Sequence, residues 1–269
     1  MSEPANSVRI TQTAATAAAL LGFPAPRQAD APVDIVLRAA ERRFGGRPAE
    51  RLLLYNPDAV ALWLYQKYTA LFDGVLLNTQ LALPVRSVMP SVTPVCFASM
   101  YAGVTPEIHG IQAYVKPVLS VETLFDAALA AGKAPAIVST EGDSISKIFL
   151  ERDMDYFIYK TPDECNRKAA ELIELGRHEL ITVYNGNFDG TMHRHGPEAG
   201  ESLAALRHNA AAFAALTETA RRAWAEKRFA VAFLPDHGCH EIDGGCGSHG
   251  LDMPEDMNIV HFYGFSAPR

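Results

Sequence analysis

Hydrophobic positions along the 269 residues fall into two kinds of run. Short, nearly continuous apolar stretches occupy residues 51–56, 134–139, 180–185, 229–234 and 258–263, the length and composition of strands buried on both faces. Between them, apolar residues return every three or four positions and predict helices over 35–44, 59–68, 94–102, 121–131, 163–175 and 200–227. Residues 14–21 read as a further, Ala-rich helix. Strands separated by helices of ten residues or more pair in parallel through right-handed crossovers. The pattern therefore predicts an α/β chain, a three-layer sandwich around a mostly parallel central sheet.

In such sheets ligands lie beyond the carboxyl ends of the strands. Three apolar runs end there on Asn56-Pro57-Asp58, on Asn185-Gly186-Asn187-Phe188-Asp189 and on Pro235-Asp236-His237-Gly238. One strand-end Asp is an ordinary helix cap. Three on one rim, two of them with a nearby His, suggest a metal site. Seven of the nine His also fall in the last 77 residues, interleaved with Asp. Asp189-x-x-x-His193, Asp236-His237 and His249 within Gly247-Ser248-His249-Gly250 combine carboxylate and imidazole donors. That mixture suits Zn²⁺, with Mn²⁺ or Fe²⁺ as alternatives. His195 reads as a loop residue and His208 as part of a polar helix face, so neither is assigned to the metal. A competing arrangement is a structural zinc knuckle of Cys239, His240, Cys246 and His249, although its Cys spacing is not a standard ligand pattern.

Thr93-Pro94 reads as an N-cap followed by proline at the first helical position, with Gly103 ending that helix. A hydroxyl there, beside divalent cations, is where an alkoxide would be stabilised.

Charge narrows the partners. Against 31 Asp+Glu stand 24 Lys+Arg, the formal charge is −7, and no basic cluster of five or more occurs, which argues against nucleic acid or an anionic membrane as partner. No apolar run approaches the roughly 18 residues of a spanning helix. Residues 14–23 make a poor signal peptide and four Cys make no disulfide framework, so the sequence predicts a cytoplasmic protein acting on a small molecule.

Several motifs occur in a recognisable order: Pro90-Ser91-Val92-Thr93; Ser99-x-x-x-Gly103-x-x-Pro106-x-x-His109-Gly110-Ile111; Tyr184-x-x-x-x-Asp189-x-x-x-His193-x-x-Gly196-Pro197; Asp236-His237-Gly238; and Ser248-His249-Gly250. This set resembles the type I phosphodiesterase/nucleotide pyrophosphatase branch of the alkaline phosphatase superfamily, over residues 51–264. The resemblance implies an alkaline phosphatase-like catalytic domain over 51–269, with 1–50 as an N-terminal helical extension packed on it. It implies one zinc held by Asp189, His193 and His249, and a second held by Asp58, Asp236, His237 and the Thr93 hydroxyl. Thr93 would attack phosphorus in line and form a covalent phosphothreonine that is then hydrolysed. His109 belongs to the motif as a structural residue. In relatives the acid equivalent to Asp58 follows its strand directly, whereas here Asn56-Pro57 intervene and Asn56 competes for the position.

Two departures bear on activity. The family stabilises the phosphoryl oxygen with the N–H after the nucleophile and with an Asn about twenty residues on; this chain has Pro94, which lacks an N–H, and Tyr114. Loss of one such donor typically costs about 10²–10³ in rate, and Tyr114 and Lys116 are the substitute substrate-binding candidates. Thr93-Pro94-Val95-Cys96-Phe97 also lacks the Arg of sulfatases. Without an Arg beside the nucleophile, a phosphodiester or phosphoanhydride is favoured over a dianionic monoester. A phosphonate hydrolase and a non-catalytic metal-binding relative are the alternatives.

Overall fold

The computed structural model describes residues 6–268; the first five residues of the expected extension and the last of the expected catalytic domain lie outside them. In chain order the strands are β1 (Arg51–Pro57), β2 (Leu81–Arg86), β3 (Pro135–Thr140), β4 (Asp155–Tyr159), β5 (Leu180–Asn185), β6 (Phe229–Phe233), β7 (His240–Ile242), β8 (Cys246–Ser248) and β9 (Asn258–Ser266). Seven form one sheet in the order β2-β9-β6-β1-β5-β3-β4, and β7–β8 form a separate hairpin. β1 lies between β5 and β6, parallel to both, with Pro57 opposite Asn185 and Tyr55 opposite Phe233. Their carboxyl ends therefore meet at one rim.

β9 runs antiparallel to both β6 and β2, which makes the sheet mostly rather than wholly parallel, as expected. The reason is the connection. From β8 the chain reaches β9 with only a four-residue helix between them, too little for a crossover, so it re-enters the sheet from the rim it is already on.

The helices are α1 (Thr13–Leu21), α2 (Asp34–Phe44), α3 (Leu62–Lys67), α4 (Asp73–Leu76), α5 (Thr93–Ala102), α6 (Pro106–His109), α7 (Leu124–Ala130), α8 (Ile145–Ile148), α9 (Pro162–Leu175), α10 (Asn187–His195), α11 (Gly200–Ala223) and α12 (Pro254–Met257). Because successive strand residues point to opposite faces, each central strand feeds two cores. Leu52, Leu54, Ala230 and Ala232 pack against α1, α2, α5, α7 and α8. Leu53, Tyr55, Phe229, Val231 and Phe233 pack against α3, α4, α9, α10 and α11. α1 is buried except at Ala19, and its interior Thr16 is satisfied by donating to the Gln12 carbonyl and accepting the Val33 N–H. This arrangement is the α/β sandwich expected from the hydrophobic pattern. None of the described helices is long and apolar enough to cross a membrane.

Candidate metal centre

The candidate side chains come from strand ends and from the helices and hairpin that follow them. Asp58 follows β1 directly and donates its N–H to the Asn185 carbonyl at 3.1 Å. The next residue, Ala59, turns the chain through the left-handed region (φ 63°) and aims its N–H at Asp236 Oδ1, 3.3 Å away. This turn delays the helix expected from residue 59, which starts at Leu62. Asp236 and His237 follow β6, and Ser87 Oγ holds the Asp236 carbonyl at 2.6 Å.

After β5 the chain forms α10, a helix that the polar, Gly-containing run Asn187–His195 did not signal. It sets Asp189 and His193 one turn apart on the same face. His249 arrives from the β7–β8 hairpin, which lies on α10. Thr93 occupies the first turn of α5, but the N-cap is Val92, whose carbonyl takes the N–H groups of Val95 and Cys96. The expectation that Thr93 caps the helix is thus displaced by one residue, which leaves its hydroxyl free for the site.

The side chains gather into two groups, Asp189 with His193 and His249, and Asp58 with Asp236 and His237. In the first, His193 Nε2 lies 3.2 Å from Asp189 Oδ1 and 3.2 Å from His249 Nε2, and His249 Nε2 lies 3.4 Å from Asp189 Oδ1. In the second, His237 Nε2 lies 3.3 Å from Asp58 Oδ1, from Asp236 Oδ2 and from Thr93 Oγ1, while Thr93 Oγ1 is also 3.3 Å from Asp58 Oδ2. A tetrahedral ion with bonds of about 2.0 Å spaces its ligand atoms about 3.3 Å apart, the spacing of both groups.

Hydrogen bonding fits the same assignment. Each imidazole gives its Nδ1–H to a backbone carbonyl: His193 to Gly247 at 3.0 Å, His249 to Ser91 at 3.0 Å and His237 to Gly238 at 2.9 Å. Such bonds orient Nε2 toward a metal. On the carboxylates, Asp58 Oδ1, Asp189 Oδ1 and Asp236 Oδ2 are buried without a hydrogen-bond partner. Buried oxygens of this kind require compensation, and a shared cation would supply it.

Electrostatics agrees. Burial pushes the Asp58 carboxyl up to about 7, with the Asp189 charge adding to the effect. Burial, then the Asp58 charge, also holds Asp236 well above the usual carboxylate range. Burial draws His237 down to about 3, which keeps it neutral and able to ligate. Asp189 behaves oppositely: its burial acts upward, but the imidazoles of His193 and His249 beside it outweigh this and lower its pKa.

Other candidate residues fall around these groups. Asn56 is fully buried and its amide is spent on the Leu234 carbonyl and the Tyr101 hydroxyl, so it does not compete with Asp58. His109 bonds Ser99 Oγ and accepts the Ile111 N–H, away from both groups. Tyr114 is exposed, yet near enough to Asp58 and Asp189 for their charges to reinforce the upward effect of its partial burial. Lys116 Nζ lies over the Tyr114 ring, 5.1 Å from its centroid, and donates to the Gly142 carbonyl at 2.8 Å. The zinc-knuckle residues diverge: Cys239 is buried, His240 pairs with Asp256, and Cys246 Sγ faces the Arg194 carbonyl.

Two further contributors stand beside these groups. The Tyr184 phenol donates to Asp58 Oδ2, the oxygen that also faces Thr93. Asp143, after β3, is pushed up to about 7 by burial, with Lys116 acting against the shift and Asp189 with it. Nothing in the spacing of Tyr184, within a recognised motif, marks it as part of the site, whereas Asp143 falls in the turn after a predicted strand, at the rim where ligands bind.

No protein-family model and no curated protein matches the sequence. Solved structures do match. Murine ectonucleotide pyrophosphatase/phosphodiesterase 5 aligns with a TM-score of 0.58 at 17% identity over 72% of this chain and 58% of its own. An inactive variant of that protein in complex with AMP gives 0.59 at 16% identity, over 72% and 59%. The human protein gives 0.63 at 12% identity, over 81% of this chain and 88% of its own. The fold is that of the nucleotide pyrophosphatase/phosphodiesterases. The chain spans about three fifths of the length of the murine structures.

Proposed function

We propose that the chain is a binuclear metal-dependent hydrolase of phosphate esters, with Thr93 as nucleophile. The observation that carries this reading is the pair of groups with tetrahedral spacing, three orphaned carboxylate oxygens, and a helix-terminal hydroxyl 3.3 Å from both His237 and Asp58. Asp189, His193 and His249 would hold one divalent cation; Asp58, Asp236, His237 and Thr93 would hold the other. Zinc suits the donors, with Mn²⁺ or Fe²⁺ as alternatives. Bound there, two cations supply Lewis acidity that lowers the Thr93 hydroxyl pKa and offsets charge on the phosphoryl oxygens.

Thr93 Oγ1 forms the new bond to phosphorus as the bond to the leaving oxygen breaks, and water then opens the phosphothreonine and restores the hydroxyl. The positive end of α5 favours the negative charge on Oγ1. Pro94 offers no N–H, so the Tyr114 hydroxyl and the Lys116 ammonium serve as the phosphoryl contacts. A phosphodiester or phosphoanhydride is the favoured substrate, and the AMP held by the murine structure makes a nucleotide ester the first to test.

The test combines metal analysis with turnover of bis(4-nitrophenyl) phosphate and nucleotide anhydrides, alongside monoesters and phosphonates. Two metal equivalents per chain and diester turnover that vanishes in Thr93→Ala are expected. A chain with one metal or none and no turnover of any ester, anhydride or phosphonate overturns the reading.

A further inference from the structure

Gly238 and Leu251 follow His237 and His249 closely in the chain, and both are fastened to one residue. Asp256, fully buried on α12, accepts the Nδ1–H of His240 on Oδ1 at 2.7 Å and the Leu251 N–H on Oδ2 at 2.9 Å. Its backbone carbonyl accepts the Gly238 N–H at 2.7 Å. The packing at this point is so close that a Cβ on Gly238 would run into the Glu255 carbonyl. From the other side, Ser91 takes the His249 Nδ1–H on its carbonyl and gives its hydroxyl to the Leu251 carbonyl at 3.3 Å.

The two histidines so held belong to different metal groups, yet their rings stack with centroids 4.1 Å apart and planes 30° apart. The distance between the groups is therefore set by the distance between these rings, and both rings sit on segments that converge on Asp256.

We infer that Asp256, paired with His240, is a positioning residue that fixes the separation of the two metal ions. The inference rests on the metal reading of the site. A carboxylate suits this place because both donors need an acceptor. Alanine leaves both donors without an acceptor, whereas asparagine could keep both bonds if His240 moves its proton to Nε2.

The experiment loads wild type, Asp256→Ala, His240→Ala and His240→Gln with Mn²⁺. It measures both binding constants and the exchange coupling between the ions by electron paramagnetic resonance, with the metal-free unfolding midpoint recorded alongside. In Asp256→Ala one ion should bind more weakly, by up to about 10-fold, the lower end of the cost of losing a direct outer partner since Asp256 bonds no ligand itself, and the coupling should change. His240→Ala should move both readouts in the same direction. His240→Gln, which keeps an N–H donor for Asp256, should restore the coupling. Wild-type affinities and coupling in Asp256→Ala, whatever its stability, overturn the inference. If that variant does not fold, unchanged readouts in His240→Ala overturn it equally. A wild type that takes up fewer than two ions defeats the metal reading, and this inference with it.

Discussion

Asp58 and Asp236 share one neutral imidazole, His237, and none of the three side chains reaches solvent. Two carboxylates in that position need a cation, so Asp58→Ala should lose one metal equivalent while the chain still folds; atomic absorption on the purified variant checks this, and full occupancy would remove Asp58 from the ligand set. Recognising Asp58 from sequence was hampered by Asn56-Pro57, and only the Tyr101 and Leu234 bonds to Asn56 separate the two residues. His261 supports a prediction independent of metal. Its Nε2–H donates to the Pro235 carbonyl, just before Asp236, and burial lowers its pKa to about 4. A depressed folded pKa means that the unfolded chain binds the proton first, so the contribution is complete above about 6.5 and is lost as pH falls toward 4. The shift corresponds to about 3 kcal/mol. Urea unfolding of wild type and His261→Gln from pH 7.5 to 4 should show wild type losing about that much relative to the variant, and parallel curves would refute it.

Among the elements, the buried strands and long amphipathic helices were legible because their periodicity is a direct consequence of burial on two faces or one. The edge strands β2 and β4 were not: β2 alternates partly buried and exposed residues around Pro84, and β4 buries none of its residues fully. α10 was missed for a different reason. Its polar face turns toward the site, so the Asp189-x-x-x-His193 spacing carried the helical signal that hydrophobicity did not. The β7–β8 hairpin fits on α10 only because residue 247 is glycine: a Cβ there would lie 2.7 Å from the Met192 carbonyl and would also collide with its sulfur. Gly247→Ala should therefore cost about 1–3 kcal/mol of stability, the usual range for overpacking. Since the Gly247 carbonyl orients His193, the ion at Asp189, His193 and His249 should weaken before the other. Urea unfolding and a two-site metal titration check both parts, and equal loss at the two sites would contradict the second.

At the scale of the whole molecule, the candidate ligands come from the end of β1, α5, α10, the end of β6 and the end of the hairpin, between residues 58 and 249. No short peptide contains either group, so on the proposed reading metal would bind the folded chain and stabilise it by mass action. At free metal 100 times the dissociation constant, each site adds about 2.7 kcal/mol. For a chain of this size roughly 2–4 °C accompanies each kcal/mol, so two filled sites should raise the unfolding midpoint by about 10–20 °C. Mn²⁺ is the better ion for the measurement, because the four free Cys of the unfolded chain would capture zinc and reduce the difference. Thr93→Ala should keep most of the shift, since the carboxylates and imidazoles remain. Asp189→Asn combined with Asp236→Asn removes an anionic ligand from each group and should abolish it. A shift that survives in the double variant would place the metal elsewhere on the protein and would remove the structural basis for hydrolysis at Thr93.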